Sequence, residues 1–466
     1  MDFRNFSIEE LVNKVKTKEV SAKEITQAAI DNIERIDGEI NAFCATNHED
    51  ALIQAEDIDR RIQKGEEIGK LAGIPIGVKD LEDAKGFITT FGSELHVNDA
   101  PAAKDSILVE RMRNQGCVIL GKTNTPEFGH KGKTDNTAFG ITKNPWNLEF
   151  SSGGSSGGTS AALASGMIPL GTGSDGGGSI RIPAALGGLA GIKTSQGRIP
   201  IGGDTPPGSG LLTVKGPMAI STKDNAIALD ATVGPHPTDI FSLESENLGW
   251  AEQLTEKLPE SVIWSPTMGF SNVDKEIMSH CENAINKLAD AGVKIIEKES
   301  IWNENPVDAW MVFWASACAR RQQHLIETDA FEKIDPLLRL FIEMGTTMDG
   351  TSYATAIDTC HKLGYQLQGF FNESPLIITP ATCGHAPKLV GDGFVNGEET
   401  PAWVDFTMGI NMTRNPAGVI PISILESGIP ASLQIIGGQR KDLDVLKAMH
   451  AFESVIGFSE KASGYE

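Results

Sequence analysis

The chain has 466 residues, of which 40% are hydrophobic and 22% charged, so it is long enough to bury a substantial core. Forty Lys and Arg residues against 62 Asp and Glu give a formal net charge of −22, which repels phosphate backbones and anionic membrane surfaces. The composition therefore argues against nucleic acids and membranes as partners.

The six cysteines show no C-x-x-C spacing, and a chain of this size needs no disulfides, so we expect reduced thiols and a cytoplasmic protein. The first twenty residues are charged throughout and contain no apolar stretch of a signal peptide. No segment approaches the ~20 apolar residues that a membrane-spanning helix needs.

Helical patterns dominate the first 70 residues. Ser7 and Ser21 are each followed three residues later by a glutamate, Glu10 and Glu24, which is the pattern of a helix capping box. From residue 71 the chain changes to short β-rich runs, at 74–78 and 118–120, separated by helical stretches. This alternation predicts an α/β domain.

Two glycine-rich blocks, at 151–166 and 171–183, look at first like flexible linkers. Each is followed at once by an apolar, helix-compatible segment, so we expect both blocks to lie inside the fold. The stretch from about residue 244 to 372 is more helical and more acidic, and from Pro375 strand patterns return. We expect those last strands to complete the same sheet.

Residues 116–123, GCVILGKT, satisfy the phosphate-loop pattern G-x-x-x-x-G-K-[ST]. A phosphate loop follows its strand, whereas the four central residues here are apolar and are predicted to be the strand itself. The sequence therefore disfavours nucleotide binding through Lys122.

Residues 171–176, GTGSDG, fit the dinucleotide pattern G-x-G-x-x-G. Such a site also needs an acidic residue about 20 positions further on to hold the ribose. Residues 191–198 contain none, so this match is weak.

Residues 153–157, GGSSG, fit the G-x-S-x-G turn of α/β-hydrolases, which requires a preceding strand. The preceding segment, NPWNLEFSS, is predicted to be a poor strand. An ordinary serine hydrolase also needs a histidine, and His236, His324 and His385 lie downstream. An esterase of this kind therefore stays open as an alternative.

Three blocks together resemble the amidase-signature family, in order and in spacing: residues 73–80 (GIPIGVKD), 153–166 (GGSSGGTSAALASG) and 171–200. Flanking segments at 120–129, 139–147 and 428–438 look like the family as well, so the resemblance covers most of the chain. It implies an α/β fold with a large mixed β-sheet flanked on both faces by α-helices. The expected single domain, 1–466, comprises N-terminal helices (1–70), a catalytic core (71–240), a helical cap or side layer (241–374) and C-terminal strands and helix (375–466).

The family pattern implies that Lys79 is the terminal base, Ser155 the relay serine and Ser179 the nucleophile. A serine hydroxyl attacks once a base takes its proton, and a buried neutral lysine can be that base. Its pKa must then fall from about 10.4 to near 7, which burial can produce. The neighbouring Asp80 would raise that pKa, but adjacent side chains of a strand point to opposite faces. We therefore expect Asp80 to lie away from the Lys79 amine.

The resemblance also implies a cis peptide bond between Gly154 and Ser155. Gly176, Gly177 and Gly178 come immediately before the predicted nucleophile, where their N–H groups can converge on a developing oxyanion.

Asp175 and Arg181 bracket this loop, and the resemblance implies that they brace it through ionic hydrogen bonds rather than react. For Ser156 and Thr159 we expect scaffold roles, as turn or helix-cap hydroxyls.

The expected reaction forms an acyl ester on Ser179 and requires no metal or organic cofactor. The histidines show no H-E-x-x-H or comparable ligand cluster. The predicted partner is a small amide-like substrate: an amide, anilide or carbamate, with oligomeric and peptide amides also open. A homodimer is an open alternative for its assembly.

A different class within the family is the amide-supplying (glutaminase) subunit of a tRNA-dependent amidotransferase. Such a subunit works with partner chains, and an arginine would suit the α-carboxylate of its glutamine. Residues 351–371, near where the glutaminase members place one, contain no arginine, which disfavours this alternative.

Trp310, Phe313 and Trp314 share one face of a predicted helix, and core packing is the favoured interpretation over a substrate pocket. The loops 201–212 and 382–394 are polar and glycine-rich, and they are the better candidates for specificity.

Overall fold

The computed structural model describes residues 1–203, 212–244 and 249–465. These ranges contain thirteen α-helices: α1 Ile8–Lys16, α2 Ala22–Ile40, α3 His48–Gln63, α4 Ile107–Asn114, α5 Gly157–Ala164, α6 Arg181–Gly187, α7 Thr222–Thr232, α8 Lys275–Asp290, α9 Val307–Gln322, α10 Pro336–Thr347, α11 Gly350–Phe371, α12 Met408–Thr413 and α13 Asp442–Ile456. No described helix combines the length and apolarity that crossing a bilayer requires.

Fifteen β-strands lie in the same ranges: β1 Phe43–Thr46, β2 Pro75–Lys79, β3 Val118–Thr123, β4 Lys143–Asn144, β5 Asn147–Ser151, β6 Leu170–Asp175, β7 Gly191–Lys193, β8 Val214–Ala219, β9 Ser261–Trp264, β10 Lys294–Glu297, β11 Leu376–Pro380, β12 Phe394–Val395, β13 Glu398–Glu399, β14 Ala417–Ile424 and β15 Pro430–Gly437. Two short pairs, β4–β5 and β12–β13, are separate two-stranded ribbons.

The predicted helix starts in the N-terminal region are confirmed. The Ser7 and Ser21 side chains each accept a hydrogen bond from a backbone N–H, and the carboxylates of Glu10 and Glu24 accept one from the backbone N–H of these serines. The region is not helical throughout, because the short strand β1 lies between α2 and α3 and pairs with β3.

The first sheet has five strands in the order β1-β3-β2-β6-β8. Its centre is parallel, because β2 runs alongside β3 on one side and β6 on the other, while β1 and β8 are antiparallel edges. All residues of β2, β3 and β6 are buried, as expected for parallel strands covered on both faces.

The second sheet has six strands in the order β10-β9-β11-β15-β14-β7 and is also mixed. Gly418 on β14 packs against Met449 of α13, while the next residue, Val419, lies on the side of Ala184 of α6. Because successive residues of a strand face opposite sides, α13 and α6 cover opposite faces of this sheet. The predicted α/β architecture, with mixed sheets flanked by helices, is confirmed.

The expected large sheet is divided into these two hydrogen-bonded parts. They meet at β7 and β8, where the Ala190 N–H donates to the Ile220 carbonyl at 3.0 Å. The hydrophobic core is continuous across both sheets. The segment 241–374, predicted to be a helical cap or side layer, also supplies β9 and β10, which join β11, β14 and β15 in the second sheet.

Candidate active site

Lys79 is the last residue of β2, and its side chain is fully buried. Its Nζ lies within hydrogen-bonding distance of three serine hydroxyls: Ser155 Oγ at 2.8 Å, Ser156 Oγ at 2.9 Å and Ser174 Oγ at 3.0 Å. Among the described residues no carboxylate reaches ion-pair distance of this amine. The lysine therefore sits in an environment of neutral hydroxyls.

Burial lowers the pKa of Lys79 to about 7, although the more distant charges of Glu82 and Asp175 act in the opposite direction. Near neutral pH a large fraction of this amine is therefore uncharged and able to accept a proton.

The prediction that Asp80 lies away from the Lys79 amine is confirmed. The Asp80 carboxylate instead pairs with Lys122 Nζ of β3 at 2.9 Å, and both side chains are buried. Lys122, which completes the phosphate-loop pattern, is thus the partner of a buried carboxylate within a strand. Residues 118–123 form β3 itself, in agreement with the argument against a phosphate loop.

The expected cis peptide bond between Gly154 and Ser155 is present. A side chain at position 154 would meet the Gly132 and Lys133 backbone at 2.6–2.7 Å, so only glycine fits there. Ser155 is 2% exposed, and α5 begins two residues later. The segment before it, judged a poor strand, is the strand β5, but it belongs to a two-stranded ribbon outside the main sheets.

The second glycine block begins inside β6, so Gly171 and Gly173 are strand residues rather than parts of a dinucleotide-binding turn. Asp175 ends β6, and Arg181 begins α6. The Arg181 guanidinium donates to both oxygens of Asp175, at 2.9 and 3.0 Å, and both side chains are fully buried. The pair bridges the two ends of the loop as predicted.

Burial alone would raise the pKa of Asp175, but the charge and hydrogen bonds of Arg181 outweigh it and hold that pKa well below its usual range. Asp175 is therefore a fixed anion that positions the loop.

The Gly178 N–H donates to Asp175 Oδ1 at 2.7 Å, so this group is already occupied. That geometry counts against Gly178 as an oxyanion donor. Gly178 instead supplies the turn, with a φ of +125° that a side chain rarely adopts. Gly176 and Gly177 accept hydrogen bonds through their carbonyls, from the Trp310 indole at 2.9 Å and the Thr407 hydroxyl at 2.6 Å.

Ser179 lies on the wall of a cavity of about 1360 Å³ that it shares with Ser155, Ser174 and Gly176. Unlike the buried Ser155, it is partly exposed to that cavity. The Ser156 N–H donates to the Ser179 carbonyl at 3.2 Å, which joins the two glycine-serine segments. Ser155 and Ser179 thus line the same cavity, and the Lys79 amine contacts Ser155 from behind the cavity wall.

Two hydroxyl contacts of the lysine were missed by the sequence reasoning. Ser156 is predicted to be a turn or helix-cap hydroxyl, but its side chain makes no capping bond and contacts Lys79 instead. Ser174 lies on β6 beside β2, and only strand pairing brings it to the amine. The scaffold role of Thr159 agrees with its hydrogen bonds to Thr123 and to the Thr172 carbonyl.

The aromatic stripe on α9 has a mixed role. Phe313 is in the core, as favoured, and Trp310 is also buried. Trp310 stacks on Trp314 with ring centroids 4.9 Å apart, and Trp314 lines the cavity. A side chain added at Gly177 would meet the Trp310 ring at 2.7 Å. The tryptophans therefore support and line the site.

The two predicted specificity loops differ in their position relative to the cavity. Residues 204–211 of the first loop lie outside the described residues, while its flanks, Ile201 to Gly203 and Thr213, line the cavity. The second loop, 382–394, is not among the cavity-lining residues that the structure describes.

One cluster of possible metal ligands occurs in the described parts of the chain, formed by Asp274, Glu276 and His385. The carboxylates already accept hydrogen bonds from the backbone N–H groups of Asn396 and Glu426. His385 Nε2 lies 3.2 Å from Asp274. These contacts account for the cluster as a link between α8 and neighbouring loops.

Comparison with known proteins identifies the family of this chain. The family model for amidases matches residues 24–446. An acylamidase from Rhodococcus erythropolis is 31% identical over 98% of this chain and 96% of its own length. The A subunit of a glutamyl-tRNA(Gln) amidotransferase from Agathobacter rectalis is 30% identical over 97% of this chain and 94% of its own length.

Solved structures show the same likeness. A bacterial aryl acylamidase of the amidase-signature family has a TM-score of 0.90 and 29% identity, covering 97% of this chain and 96% of its own. A 6-aminohexanoate cyclic dimer hydrolase has a TM-score of 0.87 and 25% identity, covering 98% of each chain.

The chain belongs to the amidase family, and its fold is that of the amidase-signature enzymes. It is an amide-hydrolysing enzyme of this family.

Proposed function

We propose that the enzyme hydrolyses the C–N bond of a small amide, anilide or carbamate through an acyl-enzyme on Ser179. The proposed proton relay runs from Ser179 through Ser155 to Lys79. The observation that carries this proposal is the buried Lys79 amine, 2.8 Å from Ser155 Oγ, behind a cavity that also reaches Ser179.

In the proposed first step, Ser179 Oγ forms a bond to the carbonyl carbon while its proton passes to Ser155 and the Ser155 proton passes to Lys79. The N–H groups of Gly176 and Gly177 are the proposed donors to the oxyanion. The relay then runs backwards and Ser155 protonates the leaving nitrogen as the C–N bond breaks. Water attacks the ester in the second step and releases the acid.

The decisive experiment is labelling with a fluorophosphonate probe. Ser179→Ala should abolish labelling while the thermal unfolding curve stays close to wild type. Ser106→Ala is the matched control, because Ser106 lines the same cavity but its hydroxyl donates to Glu82, away from the relay. Persistent labelling of Ser179→Ala, or loss of labelling in the control alone, would reject Ser179 as the nucleophile.

The amidotransferase subunit is the second candidate, supported by relatives at 30% identity over almost the whole chain. Purified chain that hydrolyses anilides or carbamates without partner subunits would favour the stand-alone amidase. Hydrolysis of glutamine only in the presence of co-purifying subunits would favour the amidotransferase. A cytoplasmic location and a homodimeric assembly remain predictions from the sequence.

A further inference from the structure

The cavity that leads to Ser179 has an arginine with no acidic partner on its wall. Arg321 lies at the end of α9 and lines the cavity. Among the described residues it makes neither a hydrogen bond nor an ion pair. Its side chain is exposed to solvent and forms part of the cavity wall.

The surroundings of Arg321 disfavour its charge. Burial lowers the pKa of the Arg321 guanidinium, and the adjacent charge of Arg320 lowers it further. An anion bound at this point would offset both effects, since guanidinium groups bind carboxylates through paired, charge-assisted hydrogen bonds.

Two acidic side chains of the cavity wall have cationic partners. Glu82 pairs with Lys215 at 2.8 Å, and Asp105 pairs with Arg113 at 2.7 Å. Arg320 and His324 flank Arg321 in the sequence and line the same cavity, and His324 adds a further potential hydrogen-bond donor. This stretch of wall therefore offers several donors to an anion, in a chain whose net charge is −22.

Apolar side chains form one part of the cavity wall. Trp314 and Phe128 flank the reacting end, because Trp314 contacts Gly176 and the residue after Phe128 adjoins Ser155. Leu95 and Leu325 continue this wall and pack in the same cluster. Arg321 follows Trp314 by seven residues, which places it on the same helix face about 10 Å along the axis.

Given the proposed function, we infer that the substrate is an amide with an apolar body and a carboxylate at its far end, held by Arg321. The apolar body lies along Trp314 and Phe128, which separates the carboxylate from the scissile bond. Arg321 is thus a specificity residue that selects anionic amides and takes no part in bond cleavage.

The test compares anilides of medium-chain dicarboxylic acids, six to eight carbons long, with the matched anilides in which the free carboxylate is replaced by a carboxamide. Wild type should prefer the carboxylate by about tenfold in kcat/KM, mainly through KM. Arg321→Gln should reduce the ratio to near one, and Arg321→Lys should retain part of it. Arg339→Gln is the matched control, because Arg339 pairs with Glu332 away from the cavity, and it should keep the wild-type ratio.

A wild-type ratio near one, or a ratio that Arg321→Gln leaves intact, would overturn the inference while hydrolysis of the neutral anilide still supports the proposed function. If neither anilide is cleaved, the carboxylate site is tested by measuring how far free suberate protects Ser179 from the fluorophosphonate. Protection in wild type that Arg321→Gln loses supports the carboxylate site, and equal protection or none in both proteins rejects it. Failure of Ser179 to react with the probe would instead reject the proposed nucleophile.

Discussion

Two fully buried lysines lie on neighbouring strands of the first sheet, Lys79 as the last residue of β2 and Lys122 as the last but one of β3, but their surroundings differ in charge. Lys122 has the carboxylate of Asp80 as its partner, whereas Lys79 contacts three neutral hydroxyls. An ion pair keeps an amine charged, while hydroxyls in a dry site allow it to lose its proton. One lysine is therefore suited to structure and the other to proton transfer.

The proposed relay predicts a pH dependence set by Lys79. Because its pKa is lowered to about 7, the amine is protonated and inactive as a base below that pH, and kcat/KM should rise about tenfold per unit until it levels above pH 7. Initial rates on a neutral anilide from pH 5.5 to 9 measure this profile. Lys79→Met should lower kcat by at least a thousandfold, on the order of other catalytic bases. A profile that is flat between pH 6 and 9 would count against a titrating lysine.

The Asp80–Lys122 pair predicts a stability effect. Lys122→Met leaves the Asp80 charge buried without its partner and should lower the free energy of unfolding by about 3–5 kcal/mol. Adding Asp80→Asn to that variant removes the stranded charge and should restore much of the loss. Urea unfolding of the wild type and both variants measures these changes in the free energy of unfolding. A loss below about 1 kcal/mol for Lys122→Met would show that the pair is not a significant contributor.

At the scale of single residues, the sequence predicted the relations between residues that are close along the chain. The alternation of a strand separated Lys79 from Asp80, and the family resemblance implied the contact between Asp175 and Arg181 that the structure contains. The contact of Ser174 with Lys79 was not predictable, since it depends on the pairing of β2 with β6. The use of the Gly178 N–H by Asp175 likewise depends on how the loop turns.

At the level of elements, the glycine loop between β6 and α6 is held by parts of the chain that are distant in sequence. Trp310 on α9 binds the Gly176 carbonyl, and Thr407, just before α12, binds the Gly177 carbonyl. Each carbonyl shares a peptide plane with the N–H of the following residue, so Trp310 fixes the orientation of the Gly177 N–H and Thr407 that of the Gly178 N–H. The Gly176 N–H shares its peptide with the Asp175 carbonyl, which accepts a hydrogen bond from Asn411 at 2.8 Å. Rigid donors of this kind stabilise a developing oxyanion without reorganising.

This loop predicts a strong effect for Gly177→Ala. The new methyl group would meet the Trp310 ring at 2.7 Å and push the loop away from its position, so kcat should fall about a hundredfold with little loss of folded protein. Steady-state kinetics and circular dichroism measure the two effects. Gly364→Ala on α11 is the control, because no atom lies within 4 Å of its added carbon and activity should be unchanged. Wild-type kcat in Gly177→Ala would show that the loop tolerates displacement.

The sequence predicted the elements that carry strong local signals. The capping boxes of α1 and α2 and the apolar runs of β2 and β3 are confirmed. The sequence did not predict the four-residue strands β1, β9 and β10, because so short a run has little periodicity and tertiary pairing decides its conformation.

For the molecule as a whole, all six cysteines are free thiols, as the sequence predicted: Cys44, Cys117, Cys281, Cys318, Cys360 and Cys383. Four are buried, and burial raises the pKa of Cys318 and Cys383 to about 12 and that of Cys117 and Cys281 further still. Stability should therefore come from the core rather than from crosslinks.

Titration with Ellman's reagent should detect no more than two thiols in the native protein, the partly exposed Cys44 and Cys360, and all six after denaturation. A reductant should leave the melting temperature unchanged. Rapid reaction of four or more native thiols would contradict the burial of these side chains.

The contacts of the Asp175–Arg181 pair extend to Asn411 and Gln434, which lie 230 and 253 residues beyond Arg181. During synthesis Lys79, Ser155 and Ser179 leave the ribosome long before these two residues exist. A nascent chain that already contains the proposed relay therefore lacks the side chains that fix the Asp175–Arg181 pair. The glycine loop can reach its final hydrogen bonding only after Gln434 has been added.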